Sequence, residues 1–391
     1  MVKILLLIDF SSEFSRGILK GLIRYSKDHG AWIFYRLPSY YKTLYGEKGV
    51  IQWAKKWEAD AIIARWDDDD TNLLTSLNIP IILQNYRSRS DYFSNLTGDY
   101  VGTGKMAAQF FIKRRYRNFA FYGNKGVIWS QERAEGFRKE IEKIGGNYYY
   151  FESENLNGEQ WSSSHVQLDN WLLSLPKPIA LFACDDSFAL QVSEICKINN
   201  IAIPDEIALL GVDNDELICN LSDPPPISSI VLDVEKGGYE AGRLIDQLIR
   251  NQRKEPFNIV IRPTRFELRK STEKYDITNE HIMKIVNYIE NHFTSEINIE
   301  DLTRFVPLSR RNLEIKFKEE MGTTIYQFIL NCRIDYFTNL LVTTNRPLFD
   351  IALESGFNDY KNISRLFKKM KGYTPSAYRK KFGDKDINNV F

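Results

Sequence analysis

Hydrogen-bonding and aromatic side chains collect at the ends of apolar runs throughout the first 270 residues. Asp9, Phe10, Ser11, Ser12 and Phe14 follow the run 2–8, and Arg65, Trp66, Asp67 and Asp68 follow 61–64. The segment WSQER (129–133) follows 119–122, Asp185 and Asp186 follow 179–183, and DNDE (213–216) follows 207–212. Carboxylates and an amide can bridge vicinal hydroxyls, an arginine can donate to them, and an aromatic ring can cover the C–H face of a sugar. The sugar-binding set expected on this ground is Phe10, Ser11, Trp66, Asp67, Arg133, Asp185, Asp186, Asp213 and Asn214. Each has a plainer reading. The acidic run 67–70 suits a helix N-terminus, Asp185 and Asp186 could cap a helix, Asp213 could cap a turn, and Arg133 could lie on a surface. Their coincidence at successive strand ends carries the argument, because open α/β sheets bind ligands there.

A second chemistry lies after residue 300. Leu313 and Phe317, then Ile363 and Phe367, are apolar pairs spaced by four, which turns one helical face inward. The opposite face carries Arg310, Arg311, Glu314, Ile315 and Lys318 in the first case, and Tyr360, Lys361, Ser364, Arg365 and Lys368 in the second. Such helices fit the major groove of double-stranded DNA, with some side chains on base edges and Lys/Arg on phosphates. The plainer reading is a solvated basic face. Two copies argue against it: FKEEMG (317–322) matches FKKMKG (367–372), and Phe328 falls on Tyr378 at the same shift of 50. Ser309 can cap the first of these helices, Asn298 the short one before it, and Asn358 or Asp359 the second long one.

Distinct elements must position these two sets. The runs 2–8, 61–64, 79–83, 119–122, 179–183, 207–212 and 259–263 read as buried parallel strands. Helical patterns at 15–29, 102–113, 132–144 and 188–199 alternate with them, which implies α/β layering. After residue 271 the alternation stops and helices with tight turns take over. The expected division is 1–270, a linker at 271–281, and an all-α domain with two helix-turn-helix units at 282–383. The net charge of +1 conceals this division. Residues 304–381 hold 15 Lys/Arg against 7 Asp/Glu, so the rest of the chain is net acidic.

Other functions find less support. The four histidines show no metal-binding spacing, and neither a GxSxG nor a phosphate-cradling GxxxxGK[ST] segment occurs. The acids at 67–70 are contiguous, whereas glycoside hydrolysis needs two carboxylates across a cleft. No catalytic residue, metal or cofactor is therefore expected. Four scattered cysteines read as reduced core thiols, and no membrane-spanning or export segment is visible, so a cytoplasmic location is expected.

The segments SRRNLEIKFKEEMG (309–322), RIDYFTNLLVTT (333–344), IALESGF (351–357) and FKKMKGYTPSAYR (367–379) resemble the DNA-binding domain of the AraC/XylS family. That resemblance implies two helix-turn-helix units sharing a linking helix. Ile315 departs from it, standing where relatives often carry a basic residue. The segments SRGILKGLIRYS (15–26), GDYVGTGKMAAQFFIKRRYRNFAFYG (98–123), ERAEGF (132–137), IALFACDDSFALQVSEIC (179–196), IPDEIALLGVDND (203–215) and VEKGGYEAGRLIDQLI (234–249) resemble the periplasmic-binding-protein-like sensors of LacI/GalR-type repressors. This implies two lobes joined by crossovers near 96–99, 228–232 and 254–258, a sugar between them, and direct contacts from Arg133 and Asp213. The sensor-first order, with FAFYG, RWDDDD, WSQER and GVDNDEL, is similar to a family of xylose-responsive activators. By that resemblance the partners are D-xylose, DNA, RNA polymerase and a second copy in a homodimer. The competing possibility is a stand-alone sugar-binding or sugar-processing protein with a basic helical oligomerisation tail.

Overall fold

Two six-stranded sheets organise the first of two compact units, Met1–Lys274 and Tyr275–Phe391, in the computed structural model of the chain. The structure describes residues 1–67, 71–153, 161–220, 225–252, 255–357 and 360–382. Asp68–Asp70 of the acidic run and the expected caps Asn358 and Asp359 lie outside the described residues. The strands are β1 (Val2–Leu7), β2 (Trp32–Arg36), β3 (Ala61–Ala64), β4 (Ile81–Leu83), β5 (Ser94–Gly98) and β6 (Asn118–Asn124). They continue as β7 (Asn147–Ser153), β8 (Ile179–Ala183), β9 (Ile207–Val212), β10 (Ser228–Leu232), β11 (Asn258–Ile261) and β12 (Pro263–Glu267). One sheet has the order β11-β5-β4-β3-β1-β2 and the other β12-β10-β9-β8-β6-β7. All pairs are parallel except β10 with β12.

The chain passes between the lobes three times: after β5, after β10 and at Arg262 between β11 and β12. The last crossing corrects the expected 254–258. Residues 258–261 pair with β5 in the first lobe, where Ile259 and Ile261 are buried, and only Arg262 separates them from β12 in the second. The second crossing also falls slightly later than 228–232, because β10 lies wholly in the second sheet. β2, β5, β7, β10 and β12 have no counterpart among the apolar runs. β5 (SNLTG) is buried throughout although mostly small and polar, so hydropathy does not reveal it.

In each lobe two helices meet backbone to backbone. A Cβ on Gly21 would stand 2.0 Å from the Glu235 carbonyl oxygen, and one on Gly238 would stand 2.2 Å from that of Ile18. These residues lie on the helices Glu13–His29 and Val234–Ile249. In the second lobe the equivalent distances are 2.0 Å from Gly104 to the Arg133 oxygen and 2.1 Å from Gly136 to that of Val101. The helices there are Tyr100–Lys113 and Ile128–Lys143.

The second unit is helical. Its helices are Glu280–His292, Ile299–Leu302, Arg310–Met321, Ile325–Thr343, Leu348–Glu354, Tyr360–Lys371 and Pro375–Phe382. The linking helix Ile325–Thr343 serves two cores. Ile325, Phe328 and Ile329 join one with Leu313 and Phe317, while Ile334, Phe337 and Leu341 join the other with Ile363 and Phe367. The repeat extends to ring contacts: Phe317–Phe328 at 5.6 Å and Phe367–Tyr378 at 5.3 Å are both edge-on. Ser309 caps its helix as expected, whereas Asn298 holds the N-cap position without a side-chain hydrogen bond. Gly322 and Gly372 take φ values of 63° and 80° where the two long helices end.

Candidate functional site: an interlobe cleft and two basic helices

The second lobe places charge at its strand ends. Ser130 Oγ accepts the Asn124 N–H at 2.8 Å, pinning the first turn of helix Ile128–Lys143 to the end of β6. One turn on, Arg133 is only 3% exposed. One of its terminal nitrogens donates to the Cys184 carbonyl after β8, and the other lies 3.8 Å from Asp213 Oδ1 after β9. Its guanidinium carbon is 5.3 Å from the Trp129 ring centroid and 5.5 Å from that of Tyr100. Arg133 Nε and Asp213 Oδ1 are buried and have no hydrogen-bond partner among the described residues. Each such orphan costs about 1–3 kcal/mol, so a donor and an acceptor left unpaired on two neighbouring residues call for a polar ligand.

The backbone is strained at the same point. Asp213 and Asn214 have φ values of 101° and 55°, consecutive left-handed residues of the kind retained where geometry serves a site. Burial pushes the Asp213 carboxyl up to about 6; Arg133 opposes this, while Asp185, Asp215 and Glu13 add to it.

The other expected second-lobe residues make hydrogen bonds within the protein. Asp185 caps helix Asp186–Ile198 through the Phe188 N–H at 2.9 Å, and burial raises its pKa. Asp186 accepts from Ser229 Oγ at 2.7 Å and from the Asp215 N–H at 2.8 Å, joining the ends of β8, β9 and β10. Asn214 Oδ1 accepts from Arg269 Nη2 at 2.9 Å.

In the first lobe, Phe10 is half-buried and Ser11 exposed, and the carbonyls of both accept from Arg16. Trp66 corrects the expectation of an open stacking surface. It continues the inward register of Ile62 and Ala64, is 1% exposed, and has Lys42 Nζ 4.3 Å from its ring centroid. Asp67 is committed to the next loop, accepting from the Tyr86 N–H at 2.6 Å and the Arg87 N–H at 3.1 Å. The aromatic pair at the cleft is Tyr86 with Trp129, edge-on at 6.3 Å across the lobes. Arg65 lies 4.0 Å from the Tyr86 centroid. Burial pushes the Tyr86 hydroxyl up to about 12; Arg65 opposes this, and Asp9, Tyr100 and Asp213 reinforce it.

Three further contacts tie one lobe to the other. Arg16 Nη2 donates to Asp215 Oδ2 at 2.7 Å, and Arg89 grips Glu132 at 2.6 and 2.7 Å. The Ile128 N–H donates to the Tyr86 carbonyl at 2.7 Å. Reading strand ends in sequence did not single out Tyr86, Arg16 or Arg89.

In the second unit, Leu313, Phe317, Ile363 and Phe367 are buried, so the opposite faces of both helices turn outward. Arg311, Glu314, Ile315 and Lys318 are exposed on the first, Arg365 and Lys368 on the second, and Ser364 is half-buried. Tyr360 and Lys361 open the second helix, but their side chains lie outside the described ones. Arg310 is exposed yet engaged, with Glu300 at 2.5 Å and Glu314 at 3.2 Å.

Among the described residues, no group of three or more His, Cys, Asp or Glu could hold a metal ion. No described helix is long and apolar enough to cross a membrane. The described cysteines form no disulfide; three are buried and Cys332 is half-buried.

Residues 108–272 match a periplasmic binding protein-like domain, and residues 302–381 match a helix-turn-helix domain. The xylose operon regulatory protein of Haemophilus influenzae is 30% identical over 328 residues, covering 82% of this chain and 84% of that one. The Escherichia coli K12 protein of the same name is 26% identical over 388 residues, covering 96% of each. Among solved structures, a xylose-binding transcription activator aligns over 98% of both chains with a TM-score of 0.59 and 24% identity. A periplasmic binding protein/LacI regulator from Alkaliphilus metalliredigens, complexed with D-xylulofuranose, covers 69% of this chain with a TM-score of 0.56 and 16% identity. These two structural likenesses bear on the fold. With a two-lobed periplasmic binding protein-like domain in one unit, paired helix-turn-helix elements in the other and a relative matched over four fifths of its length, the chain belongs to the family of xylose operon regulatory proteins.

Proposed function

We propose that the chain is an activator of pentose-utilisation genes that responds to D-xylose held between the lobes of Met1–Lys274. The observation that carries this reading is the buried, unpaired couple of Arg133 Nε and Asp213 Oδ1. A sugar hydroxyl between them would accept from the arginine and donate to the carboxylate, removing both penalties at once. The half-buried Trp129 and Tyr86 offer apolar ring surface for the C–H face. Asn214, Asp185 and Asp186 would hold this constellation in place, with Phe10 and Ser11 at its first-lobe edge. The names of the Haemophilus and Escherichia relatives favour xylose among pentoses.

In this reading the second unit reads DNA. Arg311, Glu314, Ile315 and Lys318 would enter one major-groove segment, and Lys361, Ser364, Arg365 and Lys368 the next, with Arg310 and Tyr360 at the leading ends. Two segments about one turn (~34 Å) apart suit two helices joined by one linking helix. Sugar binding would close the lobes of a cytoplasmic homodimer and set both readers on a repeated or palindromic site, from which RNA polymerase is recruited. The test is a thermal-shift and calorimetric screen of pentoses and hexoses on wild type and Asp213→Ala. Stabilisation by xylose that disappears in the variant, with salt-sensitive DNA binding retained, is the expected outcome. Equal binding to both proteins would reject the site.

A further inference from the structure

The segment leaving the sensor is wired into its binding cleft. After β12 the chain runs through Arg269 and a short turn at Lys270–Thr272, and the first unit ends at Lys274. Ser271 and Thr272, placed by the sequence at the head of a linker, are 0% and 1% exposed. Ser271 Oγ donates to the Leu209 carbonyl in β9 at 2.6 Å and accepts the Ser228 N–H at 2.8 Å. Ser228 Oγ meets Thr272 Oγ1 at 2.7 Å, and the Thr272 carbonyl accepts from Arg114 at 3.1 Å.

Arg269 sits at the junction of this anchor and the cleft. Its guanidinium donates to Asn214 Oδ1 at 2.9 Å, to Asn220 Oδ1 at 2.9 Å and to the Ile227 carbonyl at 3.0 Å. Its own N–H donates to Ser228 Oγ at 2.8 Å. Asn214 directly follows Asp213, and both have left-handed backbones, so the turn has little freedom to adjust one residue without the other.

We propose that Arg269 is the positioning residue that couples the Asp213–Asn214 turn to the exit of the sensor, transmitting sugar occupancy to the segment that leads into the DNA-reading unit. This rests on the sugar reading above. A sugar on Asp213 fixes the turn, the turn fixes the amide of Asn214, and the three-pronged guanidinium carries that position to Ile227 and, through the Arg269 backbone beside Ser228, to the exit. The seryl anchor of Ser228, Ser271 and Thr272 does not need the Arg269 side chain. Removing that side chain therefore separates the turn from the exit while leaving the exit docked. A lysine keeps the charge but cannot serve three acceptors in a fixed fork.

The experiment uses the full chain, D-xylose, and a duplex selected by the wild-type protein from random-sequence DNA. The variants are Arg269→Ala, Arg269→Lys and Asn214→Ala. In Arg269→Ala, sugar affinity and sugar-free DNA affinity are expected to stay within about twofold of wild type, while a 5–150-fold effect of sugar on DNA affinity, the usual span of such couplings, collapses towards one. Arg269→Lys should recover only part of it, and Asn214→Ala combined with Arg269→Ala should lose no more coupling than Arg269→Ala alone. Full coupling in Arg269→Ala overturns the proposal, as does a tenfold loss of sugar affinity, which would make Arg269 part of the sugar site itself. If wild type binds no xylose, the sugar reading fails, and amide hydrogen exchange decides the link separately. Faster exchange in Arg269→Ala at residues 213–217 together with 227–229 supports it, and unchanged exchange at 213–217 overturns it.

Discussion

The cleft and the basic helices both use arginine, in opposite settings. Arg133 is 3% exposed, short of one partner, and held between residues that follow β8 and β9. Arg311 and Arg365 stand exposed on single helices whose opposite faces are fully buried. A small neutral ligand must be recognised by desolvated groups at fixed distances, because its hydrogen bonds are worth little in competition with water. A polyanion is recognised by accessible charge, since counterion release supplies most of the affinity. The chain meets these requirements with a rigid, costly site in one unit and a cheap, repeated one in the other.

The comparison can be tested most severely in the reader's core. Phe367→Ala removes a ring that is 0% exposed and should destabilise the second unit by about 3–5 kcal/mol, abolishing DNA binding in a mobility-shift assay. Sugar affinity by calorimetry should be unchanged; a matching loss there would show that the units do not work separately. Next is Arg133→Ala, which leaves Asp213 without its charge partner and should weaken sugar binding by about 2–5 kcal/mol with DNA affinity intact. Third, Arg365→Ala should cost operator affinity about 1–3 kcal/mol in an anisotropy titration. Arg310→Ala should cost markedly less, because Arg310 is already engaged by Glu300 and Glu314. Equal losses would break the distinction between free and committed arginines.

The smallest effect concerns pH. The Asp213 carboxyl is raised from an ordinary 3.8 to about 6, so folding favours its protonated form. Its contribution to stability is full below the ordinary value and is lost as pH rises through about 6. Asp213→Asn should flatten that part of the pH profile and exceed wild type in sugar-free stability at pH 8 by about 1 kcal/mol, measured by urea unfolding. Wild-type sugar affinity should rise over the same interval as the ionised acceptor forms.

The reader was largely legible from sequence because its logic is local. Spacing by four separates Leu313 and Phe317 from Arg311, and a shift of 50 repeats the pattern at Ile363, Phe367 and Lys361. In the sensor, the apolar runs locate the central strands but not β5, whose buried residues are small and polar. Arg133 and Asp213 were singled out as polar residues at strand ends, and the structure brings them to 3.8 Å from one another. Arg16 was not, since its partner Asp215 is 199 residues away and only folding brings the pair together. Trp66 was misjudged for a local reason: strand alternation carries it inward beside Ala64 and turns Arg65, not the indole, towards Tyr86.

The glycine contacts bear on how the cleft can move. With Gly104 against the Arg133 carbonyl and Gly136 against that of Val101, no layer of side chains remains between the two helices to absorb sliding. The first lobe repeats the device at Gly21 and Gly238. Each lobe is thus hard within itself, so any movement of one lobe against the other is left to rotation about the three crossings.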